Sequence, residues 1–327
     1  RIISTIFTQS NQYRVILEAD PELQKSLDTL STIYVPSAAS SSGEVQLSTE
    51  AFGVSIGATP RGFLTETWTG GLRLGAADAP VRLMAVRDRV KDSLLSYAGA
   101  RDPGTGIVWG GVVSNSVTLL LNHDASGHGQ YASLGVGYLH GGLVEDNWSA
   151  DGSAGTYWNV NTGGQSNLTL GLNVTGMAYR KNSNFFTLGH GGYFSPQKFI
   201  QGTVPISWSL RHARASYEIT AGPGFQYFSE DDAPFFPVAG LIPPSELPLV
   251  FEGQSHQGPT YSVAVRADYR VTSRWHLGLN VAANNTRDFD SRSAGVVLKF
   301  LTQSVPPSTD LRVKSVPDWR GAQPLKF

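Results

Sequence analysis

One stretch of the sequence, from Gly189 to Trp208, constrains the fold of this chain more than any other. It begins as a glycine-rich turn and continues into residues that alternate between apolar and polar side chains. The apolar positions are Ile200, Gly202, Val204, Ile206 and Trp208, and the polar positions are Gln201, Thr203, Ser207 and Ser209. A period of two predicts a β-strand whose two faces meet different surroundings. We interpret this stretch as a strand of a β-barrel in a membrane.

The C-terminal third of the chain repeats this alternation, with charged residues on the polar side. One face is apolar at Ala213, Ala215, Tyr217, Ile219, Ala221, Phe225, Tyr227, Tyr261, Val263, Val265, Tyr269, Trp275, Leu277, Leu279, Val281, Ala294, Val296, Leu298 and Phe300. Aromatic residues concentrate near the strand ends, as in the interfacial belts of membrane barrels. The pattern therefore predicts an all-β fold, an antiparallel transmembrane β-barrel of the outer-membrane type.

Earlier segments show the same period more weakly. Outward faces are predicted at Val117, Leu119, Leu121, Ala132, Leu134, Val136, Tyr138, Leu168, Leu170, Leu172 and Val174. Each segment has about ten residues, the length that a tilted membrane strand needs. We expect roughly 12 to 14 strands between Phe52 and Leu301, and an even number if the barrel closes by itself.

The overall composition narrows the class of protein. The 327 residues carry a net charge of −1 and include no cysteine. These values argue against nucleic-acid binding and exclude disulfides and thiol catalysis. No apolar run approaches the roughly 20 residues of a membrane-spanning helix. The low charge fits a barrel whose strands are half apolar, and it also fits a secreted all-β protein.

Three segments of the chain differ in pattern. Residues 1–50 combine a strand pattern at Tyr13–Glu18 with a helical pattern after Pro21, and they predict a small N-terminal α/β arm. Residues 51–303 carry the alternating strands of the barrel. Residues 304–327 form a proline-rich tail that cannot be a central strand.

Predicted loop lengths give a second test of the membrane interpretation. The connections at Arg211-His212 and at Val271–Arg274 are tight, whereas the connection from Ser229 to Pro259 is long. Bacterial barrels have short periplasmic turns and long external loops. The long segment is therefore expected to be extracellular, and the last strand is expected to end on the periplasmic side.

Six motifs support a resemblance to a known family. They are TPRGF at 59–63, DSLLSYAGARDP at 92–103, WGGV at 109–112, VEDNW at 144–148, LGHGGYFSPQKF at 188–199 and RVTSRWHLG at 270–278. In this order they resemble the C-terminal outer-membrane channel domain of the bacterial cellulose synthase operon protein C family, over about residues 54–327. The resemblance implies a barrel of about sixteen strands in the bacterial outer membrane. It further implies a β-1,4-glucan as cargo, outer-membrane lipid as surroundings, and periplasmic and inner-membrane cellulose synthase components as partners.

The chain departs from that family in two ways. It has no 34-residue helical repeats like those of the family's tetratricopeptide scaffold, and it starts after the family's first barrel strands. These departures leave open whether the barrel is incomplete. Residues 1–50 instead resemble a periplasmic porter segment of resistance-nodulation-division efflux transporters, without the transmembrane helices on which efflux depends.

A glucan pore needs a wet lumen whose polar groups exchange hydrogen bonds with sugar hydroxyls. The candidate pore-lining residues are Asn173, Arg214, Glu218, Arg266, Asp268, Arg270, His276, Asn280 and Lys299. The alternative is that these charges form cross-strand pairs that stiffen the barrel wall. Both interpretations place the residues on the inner face.

Tryptophans near loops could stack on sugar rings at the outer mouth. The candidates are Trp109, Trp148 and Trp158, although interfacial anchoring is the commoner role of tryptophan in such proteins. In the tail, Trp319 is a candidate plug that gates the pore. The alternative for the tail is a disordered or periplasm-contacting end.

The histidines invite a metal or catalytic interpretation, with His123 beside Asp124 and His190 near Ser195. Their spacing matches no metalloprotease helix, nucleophile elbow or strong ligand cluster. We interpret them as solvated loop residues and expect no catalytic residue, no metal and no cofactor. No helix pattern follows Gly189–Gly192, so a turn or bulged strand is favoured over a phosphate loop.

The sequence therefore predicts a non-enzymatic outer-membrane channel that exports cellulose or a related exopolysaccharide. Two alternatives stay open. One is an outer-membrane adhesin or enzyme barrel, and the other is a soluble β-sandwich that binds carbohydrate. The exposed apolar faces of the predicted strands argue against the soluble alternative.

Overall fold

The computed structural model of the chain describes residues 2–7, 12–16, 44–48, 51–76, 79–125, 127–161, 165–212, 214–238, 240, 249–285 and 290–300. Strands make up 68% of the structure and helix 2%, so the chain is all-β. The described helix, α1, spans Leu94–Ala98. The strands are β1 (Ile2–Phe7), β2 (Gln12–Ile16), β3 (Glu44–Ser48), β4 (Phe52–Ala58), β5 (Trp68–Leu74), β6 (Val81–Arg89), β7 (Ala100–Arg101), β8 (Val108–Ala125), β9 (His128–Gly142), β10 (Val144–Asn161), β11 (Ser166–Tyr179), β12 (Lys198–Thr203), β13 (Ile206–His212), β14 (Ala215–Ala221), β15 (Gly224–Glu230), β16 (Ala233–Pro234), β17 (Val250–Phe251), β18 (Gln254–Thr260), β19 (Ser262–Arg270), β20 (Trp275–Asn284) and β21 (Ser291–Phe300).

Antiparallel ladders join most of these strands into one barrel-like sheet. The spatial order follows the chain from β3 through β4, β5, β6, β8, β9, β10 and β11. It continues through β12 with β13, β14 with β15 and β18 with β19 to β20 and β21. β7 pairs with β8, while β1 with β2 and β16 with β17 form two separate pairs. This confirms the prediction of an all-β antiparallel fold.

The strand predicted after residue 199 is divided into β12 and β13. Val174 pairs with Gly202 and Leu170 with Ile206, so the register is unchanged across the break. Pro205 stands at the break, where it has no N–H to give to the ladder, and its carbonyl accepts a hydrogen bond from Gly171. The two segments therefore act as one strand span.

The two faces of the sheet differ in polarity as the alternation predicts. Large apolar side chains are exposed on the outer face, among them Leu134, which is 64% exposed, and Val296, which is 70% exposed. Polar side chains such as Ser55, Thr118 and Gln226 are buried on the opposite face. An exposed apolar face around a polar inner face is what a barrel in lipid requires, because lipid surrounds only the outside.

Loop lengths differ between the two ends of the sheet. One end has long connections at 59–67, 90–107, 180–197 and 231–253 together with the tight turn at Leu143, and we call it the long-loop end. The other end has the short connections between β3 and β4, β8 and β9, β13 and β14, and β19 and β20, and we call it the short-turn end. The predicted alternation of long and short connections is confirmed for these residues.

The number of strand spans from Phe52 to Phe300 agrees with the prediction. They are β4, β5, β6, β8, β9, β10, β11, β12 with β13, β14 with β15, β18 with β19, β20 and β21, which makes twelve. β3 lies within residues 1–50 but pairs with β4 in the main sheet. The helical part of the predicted arm and the tail at 304–327 lie outside the described residues. The proposed three-part division and an incomplete barrel therefore stay predictions.

No helix in the described ranges is long and apolar enough to span a membrane.

Candidate functional site

The inner face of β14, β19 and β20 carries the central part of the charged ladder predicted from the sequence. Glu218 is the register partner of Arg266, and Arg266 pairs in turn with Asn280. Asp268 lies two residues further along the same face, with its Oδ2 3.2 Å from Nε of Arg266. Four of the candidate pore-lining residues are thus brought together on one wall.

A second row of candidates lies toward the short-turn end. Arg270 pairs with His276, and His276 pairs with Lys299 across β20 and β21. Arg214 is exposed in the turn before β14, where its carbonyl accepts a hydrogen bond of 2.7 Å from the Arg270 N–H. This end of the inner face is therefore rich in basic groups.

A cavity of about 400 Å³ lies beside the ladder. Its lining includes Asn159, Gln165, Asn167, Glu218 and Asp268. Amide and carboxylate groups of this kind offer both donors and acceptors. The cavity can therefore exchange hydrogen bonds with a hydroxyl-rich ligand, and it needs no catalytic group to do so.

Asn173 lies apart from the ladder, on the inner face of β11. Its Oδ1 accepts a hydrogen bond of 2.8 Å from the Tyr131 hydroxyl, and its Nδ2 donates to Thr175 at 3.1 Å. Tyr131 lies across Gly155, where an added Cβ would be 2.3 Å from the tyrosine oxygen. Tyr157 lies in the same way across Gly129.

Tyr131 and Tyr157 are inner-face aromatics that the sequence analysis did not single out. The strand pattern contained the signal, because Tyr131 has the opposite parity to the outward residues Ala132 and Leu134. Flat aromatic faces on a polar wall are surfaces on which pyranose rings can slide. Tyr131 is only 7% exposed whereas Tyr157 is half-buried, so Tyr157 is the additional candidate for contact with sugar.

The long-loop end is built on a compact core. Leu95, Trp109, Val112, Leu139, Val144, Leu188 and Tyr193 form one buried cluster, in which strands and loops meet. The Phe194 N–H donates to Asp92 Oδ2 at 3.1 Å, which joins loop 180–197 to loop 90–107. The loops at this end therefore pack as a unit.

Loop 180–197 also packs against loop 231–253. The rings of Phe185 and Phe251 stack with their centroids 3.8 Å apart. His190 is 1% exposed, and its Nε2 lies 2.8 Å from the carbonyl oxygen of Pro234. The interpretation of His190 as a solvated loop residue is therefore wrong, because tertiary contacts bury it. The predicted turn is confirmed, with φ values of 102° at Gly189 and 63° at Gly192.

Burial changes the acid–base properties of this loop. Removal from water lowers the pKa of His190 below 6.5, partly offset by the carbonyl of Pro234 and by the charge of Glu145. Burial also raises the pKa of Tyr193 to about 12. The Tyr193 hydroxyl accepts a hydrogen bond of 3.1 Å from Asn147 Nδ2. The loop core thus favours uncharged side chains.

The candidate tryptophans occupy different surroundings. Trp109 is 6% exposed within the buried cluster, so its ring contacts protein in this structure. Trp148 and Trp158 are exposed on the outer face of β10, near opposite ends of that strand. Their placement favours the interfacial-anchor interpretation. Trp319 lies outside the described residues, so the tail plug stays a prediction.

Within the residues that the structure describes, no group of three or more His, Asp or Glu side chains is placed to hold a metal ion.

The sequence over most of the chain matches a known family. Residues 21–303 match the family described as the C-terminus of cellulose synthase operon protein C. The chain belongs to this family. The match begins within residues 1–50, whose resemblance to efflux transporters stays a prediction.

Several similar proteins carry the name cellulose synthase operon protein C, among them the following three. The Pseudomonas fluorescens relative is 33% identical over 255 residues, covering 76% of this chain and 20% of the relative. The Xanthomonas axonopodis relative is 34% identical over 272 residues, covering 76% and 18%. The Escherichia coli K12 relative is 32% identical over 243 residues, covering 72% and 21%. The chain therefore spans about a fifth of the length of these relatives.

Proposed function

We propose that this chain forms an outer-membrane channel through which a β-1,4-glucan, cellulose or a related exopolysaccharide, leaves the cell. The channel acts by binding and guiding its cargo, without catalysis and without a cofactor. The main support for this proposal is a barrel-like sheet with an exposed apolar outer face and a polar inner face, in a chain of the cellulose synthase operon protein C family. This family membership does not favour an adhesin, an enzyme or a soluble carbohydrate-binding module.

The inner face supports this proposal through its chemistry. Glu218, Arg266, Asp268 and Asn280 offer donors and acceptors that hydroxyl groups can exchange as a chain advances. Passage requires binding that is favourable enough for entry and weak enough for release. Many neutral or internally paired groups along a wall meet this condition better than one strong site.

The two ends of the sheet support an orientation. Long loops face the outside in bacterial barrels, so the packed loops at 90–107, 180–197 and 231–253 form the external mouth. The short turns then face the periplasm. There the channel receives its cargo from periplasmic and inner-membrane components of the cellulose synthase, which we propose as its partners.

Single-channel recording in a planar bilayer tests the proposal. The purified chain is added, and cellohexaose and maltohexaose are compared as blockers at equal concentration. We expect stable openings that cellohexaose interrupts more strongly, because the β-1,4 chain is extended while the α-1,4 chain is coiled. Heat-modifiable migration in gels provides an independent check that the sheet has folded.

Two outcomes would contradict the proposal. Equal block by the two sugars would show that the channel does not select the β-1,4 linkage, although a channel would remain. A folded, heat-modifiable chain that never inserts into bilayers would remove the membrane channel itself.

A further inference from the structure

An arginine lies on the outer face of the sheet at the long-loop end. Arg87 on β6 pairs with Gly70 of β5 and with Asn115 of β8. Its guanidinium carbon is 4.5 Å from the centre of the Trp68 ring, and Trp68 is 57% exposed. A guanidinium over an exposed indole is held by a cation–π contact on the surface that the channel proposal assigns to lipid.

The hydrogen-bond partners of Arg87 are neutral. Nη1 donates to Asn115 Oδ1 at 2.7 Å and lies 3.3 Å from Nε2 of His140. Nη2 donates to the Thr67 hydroxyl at 3.2 Å. The carboxylate of the adjacent Asp88 instead lies 3.1 Å from Lys91 Nζ. The positive charge of Arg87 is therefore positioned by its neighbours without being neutralised by them.

His140 adds a second donor to the same surface. Arginine can only donate, so Nε2 of His140 accepts from it and the other ring nitrogen carries the proton. The His140 ring stacks on Tyr138 with centroids 5.6 Å apart, and Tyr138 packs on Trp148 at 5.1 Å. The Tyr138 hydroxyl donates to Asp146 Oδ2 at 2.7 Å, so a negatively charged carboxylate is held at Tyr138 and not at Arg87.

These side chains are neighbours on the outer face near the long-loop end. Arg87, Asn115, Tyr138 and Trp148 are successive register partners on four neighbouring strands. The next outward position toward the short-turn end on β8 is Val117, which is 46% exposed. The row thus lies where the apolar face ends, the depth at which tryptophan, tyrosine and arginine meet lipid headgroups.

We propose that this patch, formed by Trp68, Arg87, Asn115, Tyr138, His140 and Trp148, binds the phosphate group of a lipid headgroup in the leaflet on the long-loop side. The inference rests on the proposed membrane location. The occupant follows from charge complementarity, because a cation at the end of the apolar face whose own hydrogen-bond partners are neutral matches a phosphate oxygen. The second N–H of Arg87 Nη2 and the protonated nitrogen of His140 are donors suited to phosphate, whereas Arg87 Nε is buried. The aromatic rings are suited to the glycerol or sugar part of the headgroup.

Lipid titration followed by native mass spectrometry tests this site on the folded chain in detergent. The probes are diphosphorylated lipid A, the same lipid after removal of its phosphates, and inorganic phosphate as competitor. We expect the phosphorylated lipid to bind about tenfold more tightly than its dephosphorylated form. We expect R87Q to lose this preference. We expect R87K to keep part of it, because lysine retains the positive charge but lacks the planar set of N–H donors of the guanidinium. R101Q is the control, since it removes one exposed arginine from loop 90–107 at the same end.

Each other outcome overturns the inference. Equal binding of the two lipids by the unaltered chain would show that phosphate is not recognised, and this comparison needs no variant. An undiminished preference in R87Q would show that Arg87 does not carry the site. Displacement by inorganic phosphate at the concentrations at which lipid binds would assign the site to a free anion. A chain that conducts and is blocked by cellohexaose but fails these tests would remove the lipid site and leave the channel standing.

Discussion

The ring of His190 joins two loops of the external mouth, because its Nε2 lies 2.8 Å from the carbonyl oxygen of Pro234. Nδ1 of the same ring is buried without a hydrogen-bond partner in the described structure. Phe185 and Phe251 flank the ring edge-on, with centroids at 5.2 Å and 5.9 Å. A proton added to Nδ1 would therefore bring a charge into an apolar contact.

We expect acidification on the long-loop side to loosen these loops. Burial lowers the pKa of His190 below 6.5, so the packed loop favours the neutral ring. The packing is at full strength above about pH 6.5 and weakens as the pH falls below that value, because protonation then favours the unpacked loop. Glu145 opposes this shift, since its charge favours the protonated ring. In a planar bilayer, current fluctuations caused by loop motion should increase when only that side is acidified.

The variant H190F should remove this response while keeping an aromatic ring between Phe185 and Phe251. H123A is the matched control, because His123 lies at the short-turn end, away from these loops. An unchanged pH response in H190F would show that another group controls the loops.

Two adjacent valines on β21 separate lipid exposure from lumen exposure. Val296 is 70% exposed on the outer face, and Val297 is 41% exposed on the inner face. A lysine at a lipid-facing position near the bilayer centre costs about 2–4 kcal/mol, whereas one in a wet lumen costs little. We therefore expect V296K to reduce the stability of the chain folded into vesicles by that amount. We expect V297K to change this stability by less than about 1 kcal/mol. Equal effects in denaturant titrations would contradict the placement of lipid.

Gly111 is expected to be irreplaceable by any larger residue. Its φ is 62°, and an added Cβ would be 1.7 Å from Thr65 Oγ1 and 2.3 Å from Arg89 Nη1. G111A should therefore combine backbone strain of about 1–3 kcal/mol with overpacking of about 1–3 kcal/mol. Gly106 also has positive φ, 74°, but nothing lies within 4 Å of its added Cβ. G106A should show the strain alone, and comparable unfolding free energies for the two variants would refute the crowding at Gly111.

The alternating strands could be predicted from the sequence, and the loop core could not. Leu277 and Leu279 face outward because a strand carries its period in adjacent residues, so the signal is local. The contact between Phe194 and Asp92 joins residues 102 positions apart, and no local pattern encodes it. The glycine-rich turn at His190 is predictable for the same reason, whereas the burial of the His190 ring is not.

In the candidate site as well, the local strand pattern could be predicted and the long-range contacts could not. Parity predicts that Glu218, Arg266 and Asp268 share one face, and the structure brings them together. The sequence carries no indication that Trp109 is buried by loops arriving from elsewhere. The role of Arg87 could not be predicted either, because it depends on contacts with Trp68 and His140, which lie on neighbouring strands.

Glu218 and Arg266 can be tested for the two roles that the sequence leaves open. If Glu218 contacts the sugar directly, E218Q should weaken block by cellohexaose about tenfold, because a hydrogen bond to a charged group contributes about 1.5–3 kcal/mol. If the pair mainly stiffens the wall, the change should appear in unfolding free energy instead. A double-mutant cycle of E218Q with R266Q then gives a coupling energy in stability, about 0.2–1 kcal/mol for an accessible cross-strand pair. N167D is a useful comparison, since it adds a charge to the same cavity without touching the pair. Unchanged block in E218Q together with measurable coupling would assign Glu218 to the wall and leave Asp268 and Asn280 as the candidates for contact with the glucan.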